Sequence, residues 1–304
     1  MTVEAGKWDA IIVGGGPAGV SCAVWLQRLA ISVLLLEAQP ALGGLCRLNP
    51  FPDDWNAAVP GATGQDVAQR LACSARDADV PLRLSWRVES ASERSDGVFE
   101  LRSSSGKLVH GDHLVVASGV RARSLPELGG SAPRPGSGIL IGPGSHVAGA
   151  DFRGKRVAVL GGGDNAFENA RYAREHGAAS VHVHARNVRA GDHLIDGLAA
   201  EELSVGPYVV DPSMRTVNGR HYDLILVFYG WEPHAPFAEE LGLARNDEGF
   251  IATEPASAQT SRAGVYAIGE VAQRLHPCVV TALADGVTAA KAIQARVEAA
   301  RRTA

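Results

Sequence analysis

The 304-residue chain is poor in cysteine, and its four cysteines, Cys22, Cys46, Cys73 and Cys278, include no Cys-x-x-Cys pair. Dithiol exchange needs an attacking thiolate beside a resolving partner, so a centre built from neighbouring cysteines is excluded. The same scatter gives no disulfide framework and suits a reducing cytoplasm, the expected location. Long apolar runs are missing too: Ile11 to Leu26 is broken by glycines and a proline, so no membrane span is expected. Met1 to Asp9 is too polar for a secretory leader. There is no basic block, and 29 Lys and Arg against 33 Asp and Glu leave a net charge of -4. That argues against nucleic acid as a partner while permitting a local basic patch toward an acidic carrier. No metal site is expected. Low-complexity sequence is absent, although Ser131 to Gly144 is rich in proline, glycine and serine.

What is present is a pair of glycine-rich turns, Gly14-Gly15-Gly16-Pro17-Ala18-Gly19 and Gly161-Gly162-Gly163-Asp164-Asn165-Ala166. Each follows an apolar strand and opens a helix. One such turn is a weak signal, but two in matching context point to two dinucleotides on one chain, FAD and a nicotinamide cofactor being the natural pair. In the first unit, Ala10 to Val13 delivers the chain into Gly14 and Gly16, where glycine lets backbone approach a pyrophosphate. The next helix aims its free N–H groups at the phosphates, and Gly19 permits tight helix-to-strand packing. A second strand, Val33 to Leu36, ends in Glu37, an acid placed to accept from ribose hydroxyls. In the second unit, Val181 to His184 leads instead to Ala185 and Arg186, with Arg189 following. Arginines in place of the ribose acid accommodate a 2′-phosphate, which favours NADPH. The plainer alternatives are two solvated arginines and a His184 that only packs in its strand.

The expected fold is α/β, with two Rossmann-like three-layer dinucleotide-binding domains and the NADPH domain inserted in the FAD domain. The first FAD segment spans 1–119, the NADPH domain 120–241 and the second FAD segment 242–304, with crossover strands near Gly119 and Gly230. An antiparallel excursion is expected from Leu82 to Val109. A length of 304 residues and an apolar fraction of 46% accommodate this. Trp25, Trp55 and Trp86 read as core or interface residues, and Cys22 as a small buried hydrophobe.

Over nearly its whole length the chain resembles the low-molecular-weight thioredoxin reductase group of FAD and NADPH flavoproteins. The resemblance rests on both glycine turns, Glu37 with Gly43-Gly44, Val115-Val116-Ala117-Ser118-Gly119, and Gly264-Val265-Tyr266-Ala267-Ile268-Gly269-Glu270, where the family has Gly-Asp in place of Gly269-Glu270. The group carries its redox dithiol shortly before the second turn. Here that stretch reads Ser137 to His146, without cysteine. Cys46 stands where glutathione-reductase-like enzymes have the first cysteine of Cys-x4-Cys, but the partner position is Phe51. The chain therefore resembles the dithiol-lacking branch, the thioredoxin-reductase-type ferredoxin or flavodoxin NADP reductases. Asp151 to Asp164, Arg189 to His193, and Phe228-Tyr229-Gly230 support that branch.

The resemblance implies an FAD site of Gly14, Gly16, Pro17, Ala18, Gly19, Glu37, Gly43, Gly44, Ala117, Gly119, Gly269, Glu270, Pro277, Cys278 and Val279. It implies an NADPH site of Gly161, Gly163, Asp164, Asn165, Ala166, His184, Arg186 and Arg189. The last helix should begin near Pro277 and set its positive end beside the flavin's pyrimidine edge. His276 is a candidate proton relay and Cys46 a candidate thiol; neither catalytic role is fixed. The expected reaction is hydride transfer from NADPH to FAD, then passage of electrons to an external acceptor: a ferredoxin- or flavodoxin-type carrier, a ferric chelate or a small molecule. Homodimerisation is implied by the resemblance. The alternatives are a disulfide reductase using cysteines that converge in space, a flavin monooxygenase suggested by Leu140 to His146, and a non-enzymatic FAD/NADPH redox sensor.

Overall fold

The computed structural model describes residues 3–53, 55–196 and 198–303. In chain order its main elements are β1 (Val3–Val13), α1 (Pro17–Arg28), β2 (Val33–Leu36), α2 (Gly64–Asp77), β3 (Leu82–Arg83), β4 (Val88–Glu93), β5 (Phe99–Ser103), β6 (Leu108–Val116) and β7 (Val120–Ala122). There follow β8 (Ile139–Ile141), α3 (Ser145–Ala148), β9 (Arg156–Leu160), α4 (Asp164–Glu175), β10 (Ser180–Ala185), α5 (Asp192–Ile195) and β11 (Leu203–Val205). The chain continues through β12 (Val210–Asp211), β13 (Thr216–Val217), β14 (Arg220–His221), β15 (Leu224–Val227), β16 (Trp231–Pro233), β17 (Val265–Ala267) and α6 (Val279–Thr303). They form two compact units: one holds the described residues up to Val120 and from Glu232 on, the other Arg121–Trp231.

The larger unit is built on a sheet ordered β3-β2-β1-β6-β5-β4. β6 changes partner along its length: Leu108 to Gly111 pairs antiparallel with β5, while Leu114 to Val116 pairs parallel with β17. Period-two alternation gives the sheet two apolar faces. Ala10, Ile12, Val33, Leu35 and Val115 pack under α1, α2 and α6, against Val20, Leu26, Leu71 and Ile293. Ile11, Leu34, Leu36, Leu114 and Val116 face the other way, against Trp86, Phe99 and Phe237. Three layers result. The antiparallel excursion begins at β4; Leu82–Arg83, expected within it, instead adds parallel to β2.

The smaller unit has a parallel sheet ordered β11-β10-β9-β15-β8. Val157, Val159, Val181, Val183 and Leu226 bury one face under Phe167, Ala170 and Ala173 of α4. The opposite face, with Ala158, Leu160, Ile225 and Val227, is covered by Val210 and Val217 from the β12-β13-β14 ribbon and by Tyr222, which follows it. This unit closes at Trp231 rather than at the expected Leu241. The reason is packing: Phe237, Ala238 and Leu241 are buried in the core of the larger unit. Among the described residues no helix is long and apolar enough to cross a membrane.

Candidate functional site

In the larger unit the first glycine turn sits where β1, β2 and β6 end side by side. Gly14 N donates to Leu36 O at 2.8 Å, and its φ of +113° is a conformation that glycine tolerates and side chains do not. A Cβ on Gly14 would lie 2.3 Å from Ala117 O, and one on Gly19 would lie 1.9 Å from Gly14 O. Glycine at 19 thus lets α1 seat directly on the turn. α1 has Gly16 as its N-cap, Pro17 in its first turn and no side-chain cap, so its first N–H groups are not spent on a cap. α2 makes the contrast: Thr63 and Asp66 form a complete capping box there. Close backbone approach plus an uncapped helix start is what a pyrophosphate requires.

Other predicted residues converge on this turn. Glu37 is 8% exposed and its carboxylate fastens the turn, accepting from Gly15 N and Gln39 N at 2.7 Å each. Each oxygen keeps a further lone pair for a ribose hydroxyl. Gly43 N donates to Gly15 O at 2.7 Å, and a Cβ on Gly44 would lie 3.1 Å from Gly16 Cα. Ser118 Oγ, beside Ala117, is buried without a partner. A Cβ on Gly269 would meet the Ala18 side chain at 2.9 Å. Gly119, by contrast, lies at the chain crossing, where its carbonyl accepts from His234 N at 3.0 Å.

Gly269, Glu270, Pro277, Cys278 and Thr281 line one cleft. α6 begins at Val279, as expected, and Cys278 caps it: Thr281 N donates to Cys278 Sγ at 3.5 Å and Ala282 N to Cys278 O at 3.1 Å. His276 is exposed and engages α6 through its backbone, its carbonyl accepting from Thr281 Oγ1 at 2.7 Å. Burial holds the Glu270 carboxyl above the usual carboxylate range. One element escaped the sequence reading. Asp285, on α6, accepts from Gly269 N at 3.0 Å and pairs with Arg274 Nη1 at 2.8 Å, the two side chains being 5% and 9% exposed. Arg274 also donates to Pro255 O. Burial pushes the Asp285 carboxyl up, against the pull of Gly269 N–H and Arg274. The only signal in the sequence was a charged pair in an otherwise apolar stretch.

The second turn repeats the design in the smaller unit. Gly161 has φ +142°, its N–H donates to His184 O at 3.0 Å, and a Cβ there would lie 2.3 Å from Phe228 O. α4 has Gly163 as N-cap and no side-chain cap. Arg186 and Arg189 are exposed at the same strand ends, with no carboxylate partner among the described residues. Two expected nucleotide residues serve packing instead. Ala166 is 0% exposed and its N–H already donates to Gly163 O at 2.9 Å. His184 is 4% exposed, in hydrogen-bond contact with Tyr222 OH at 3.0 Å, on the face covered by the β12-β13-β14 ribbon. Burial depresses its pKa to about 4. Asn165 offers its carbonyl to Asn169 Nδ2 at 2.7 Å, and Asp164 turns its carboxylate to Gly191 N.

All four cysteines are free thiols. Burial first, then the Asp53 and Glu270 carboxylates, push the Cys46 thiol up to about 11, which opposes thiolate formation. Burial pushes Cys22 up as well. No group of ligands suited to a metal ion occurs among the described residues.

The fold has close counterparts. A thioredoxin reductase of Lactococcus lactis superposes with a TM-score of 0.77 at 22% identity, covering 94% of this chain and 98% of that one. The bacillithiol disulfide reductase of Bacillus cereus gives 0.79 at 17%, covering 96% and 100%. At these identities the likeness is one of fold. By sequence, the chain is 30% identical over 292 residues to a ferredoxin–NADP reductase of Limosilactobacillus fermentum, covering 87% of this chain and 86% of the relative. It is 24% identical over 303 residues to a thioredoxin reductase of Rickettsia prowazekii, covering 92% and 95%. The profile of the pyridine nucleotide-disulphide oxidoreductases matches residues 8–204 and 201–286. The chain belongs to that family of enzymes, the pyridine nucleotide-disulphide oxidoreductases, whose cofactors are FAD and NADPH.

Proposed function

We propose that the protein is an NADPH-dependent FAD reductase that passes electrons to an external acceptor without a protein dithiol. The observation that carries this reading is that the two long helices opened by the glycine-rich turns, α1 and α4, both lack a side-chain cap, while the long helix α2 is fully capped. In the larger unit Gly14, Gly16, Ala18 and Gly19 would hold the pyrophosphate of FAD, Glu37 the adenosine ribose, and Gly43, Gly44, Ala117 and Glu270 the remainder. In the smaller unit Gly161 and Gly163 would receive the nicotinamide dinucleotide, with Arg186 and Arg189 toward a 2′-phosphate. Bound FAD supplies acceptance of a hydride from NADPH and release of two electrons singly or together. The N-terminus of α6 adds positive potential beside Glu270 and Pro277 in the same cleft.

The raised Cys46 pKa of about 11 and the lack of any Cys-x-x-Cys support an acceptor that is not reduced through protein thiols. The L. fermentum relative supports a ferredoxin-type carrier as that acceptor. We read the protein as a cytoplasmic homodimer, which light scattering on the purified chain tests. The acceptor reading is tested by steady-state turnover with NADPH and either a one-electron acceptor, ferricyanide or a ferredoxin, or an aromatic disulfide. Turnover with the former and none with the latter is the expected result. Disulfide reduction that is lost in Cys46→Ser would replace this reading with a thiol mechanism, and hydroxylated product formed under oxygen would replace it with monooxygenation. Rapid nucleotide binding without turnover would make the protein a sensor.

A further inference from the structure

The segment after β10 that carries Arg186 and Arg189 lies directly against the second glycine turn. Asn187 O fills the space beside Gly162, where a Cβ would come within 1.9 Å of it. Arg189 N and Ala190 N both donate to Gly162 O, at 2.6 and 3.1 Å. The next N–H, that of Gly191, donates to Asp164 Oδ1 at 3.0 Å. Three consecutive N–H groups therefore tie this segment to the turn, two through backbone and one through a side chain. The backbone pair follows from the path of the chain. The side-chain bond depends on residue 164, the first residue of α4.

At the first turn of α4 the helix dipole favours a carboxylate, but the same charge opposes an incoming phosphate. A free carboxylate at the start of a helix that receives phosphates would repel them; here one oxygen is directed to the arginine segment instead. Arg186 and Arg189 are exposed and unpaired with carboxylates among the described residues, so their charge is available to a ligand. A segment already fixed loses less freedom when it closes on a phosphate than one that must be ordered first.

We propose that Asp164 is a specificity-positioning residue: by holding Gly191 N–H it fixes the Arg186 to Arg189 segment over the glycine turn and thereby sets the preference for the 2′-phosphate of NADPH over NADH. The proposal rests on the reading of this turn as the nicotinamide-nucleotide site. NADH has no 2′-phosphate and gains nothing from an ordered arginine segment, so loosening that segment weakens NADPH selectively. A loss carried by binding appears in KM and not in kcat.

The test compares kcat/KM for NADPH and NADH, with ferricyanide as acceptor, in the holoenzyme and three variants. Asp164→Ala removes the acceptor, and Gly191→Pro removes the donor at a residue whose φ of -61° suits proline, its Cβ displacing the exposed His193 ring that would lie 2.9 Å away. Asp164→Asn keeps an acceptor oxygen without the charge. Expected is a fall of about fivefold in the NADPH-to-NADH ratio for Asp164→Ala and Gly191→Pro, the worth of one hydrogen bond, carried by KM for NADPH, with Asp164→Asn close to wild type. An unchanged ratio in Asp164→Ala, in an enzyme that prefers NADPH, overturns the proposal and leaves the nucleotide site standing. An Asn variant as impaired as the Ala variant overturns it too, since charge and not the hydrogen bond would be responsible. A wild-type enzyme that takes neither nucleotide sinks the site reading itself.

Discussion

Replacing Asp285 with alanine tests whether a buried ion pair holds the Gly269-Glu270 turn in place. The carboxylate accepts from Gly269 N at 3.0 Å and from Arg274 Nη1 at 2.8 Å, with both charged side chains under 10% exposed by their values of 5% and 9%. Its removal leaves the Arg274 guanidinium buried with Pro255 O as its remaining acceptor and Nε already without a partner. Breaking such a pair from one side costs about 3–5 kcal/mol, a large part of the roughly 5–15 kcal/mol that keeps a domain folded. With a urea slope of about 2–3 kcal/mol/M, the unfolding midpoint of the holoenzyme should fall by about 1–2.5 M. Flavin should also dissociate more readily, because Gly269 loses the bond that fixes it. The double variant Arg274→Met/Asp285→Leu should lose far less, since burial already holds the Asp285 carboxyl up and the pair only partly offsets its desolvation. Urea unfolding followed by circular dichroism and by flavin fluorescence measures both effects. A midpoint shift below about 0.3 M for Asp285→Ala would refute the reasoning.

Other predictions address the two turns, the buried histidine and the thiol. Gly14→Ala places a Cβ 2.3 Å from Ala117 O at φ +113° and should yield a protein largely depleted of flavin; Gly161→Ala places one 2.3 Å from Phe228 O at φ +142° and should stay yellow while its KM for NADPH rises about tenfold or more. Absorbance of the purified variants and steady-state kinetics separate the two outcomes. His184 titrates near 4 when folded, against about 6.5 when unfolded, so the unfolded chain binds the extra proton between those values. Stability should therefore be full above pH 6.5 and decline by roughly 2–3 kcal/mol as pH falls to 4, and His184→Leu should flatten that slope in thermal melts across the window. With its pKa near 11, Cys46 is about one part in ten thousand thiolate at pH 7. Iodoacetamide should modify it far more slowly than a free thiol, and Cys46→Ser should retain ferricyanide turnover; fast labelling followed by mass spectrometry would contradict this.

The glycine turns were legible because part of their constraint is local: Gly14 and Gly161 take positive φ, and a Cβ on Gly19 would lie 1.9 Å from Gly14 O. The close approaches of Gly14 to Ala117 O and of Gly161 to Phe228 O are long-range and reinforce the same choice of residue. Glu37 was legible as an acid at a strand end, although its first duty is to fasten Gly15 N. The start of α6 near Pro277 was legible through the family resemblance, and the helix begins at Val279. Long-range choices were not. Nothing local assigns Phe237 and Leu241 to the larger core, or turns His184 toward Tyr222 rather than toward a nucleotide. A strand residue has two faces to choose from, and the β12-β13-β14 ribbon that decides it arrives later in the chain. The Arg274–Asp285 pair likewise needs a fold before its two charges meet.

The central claim is that flavin is the sole redox centre, and the most direct measurement is an anaerobic titration of the purified yellow protein with NADPH. Complete bleaching of the flavin at about one equivalent of NADPH per FAD is the predicted result. Consumption of about two equivalents would reveal a disulfide taking the second electron pair and would contradict the account.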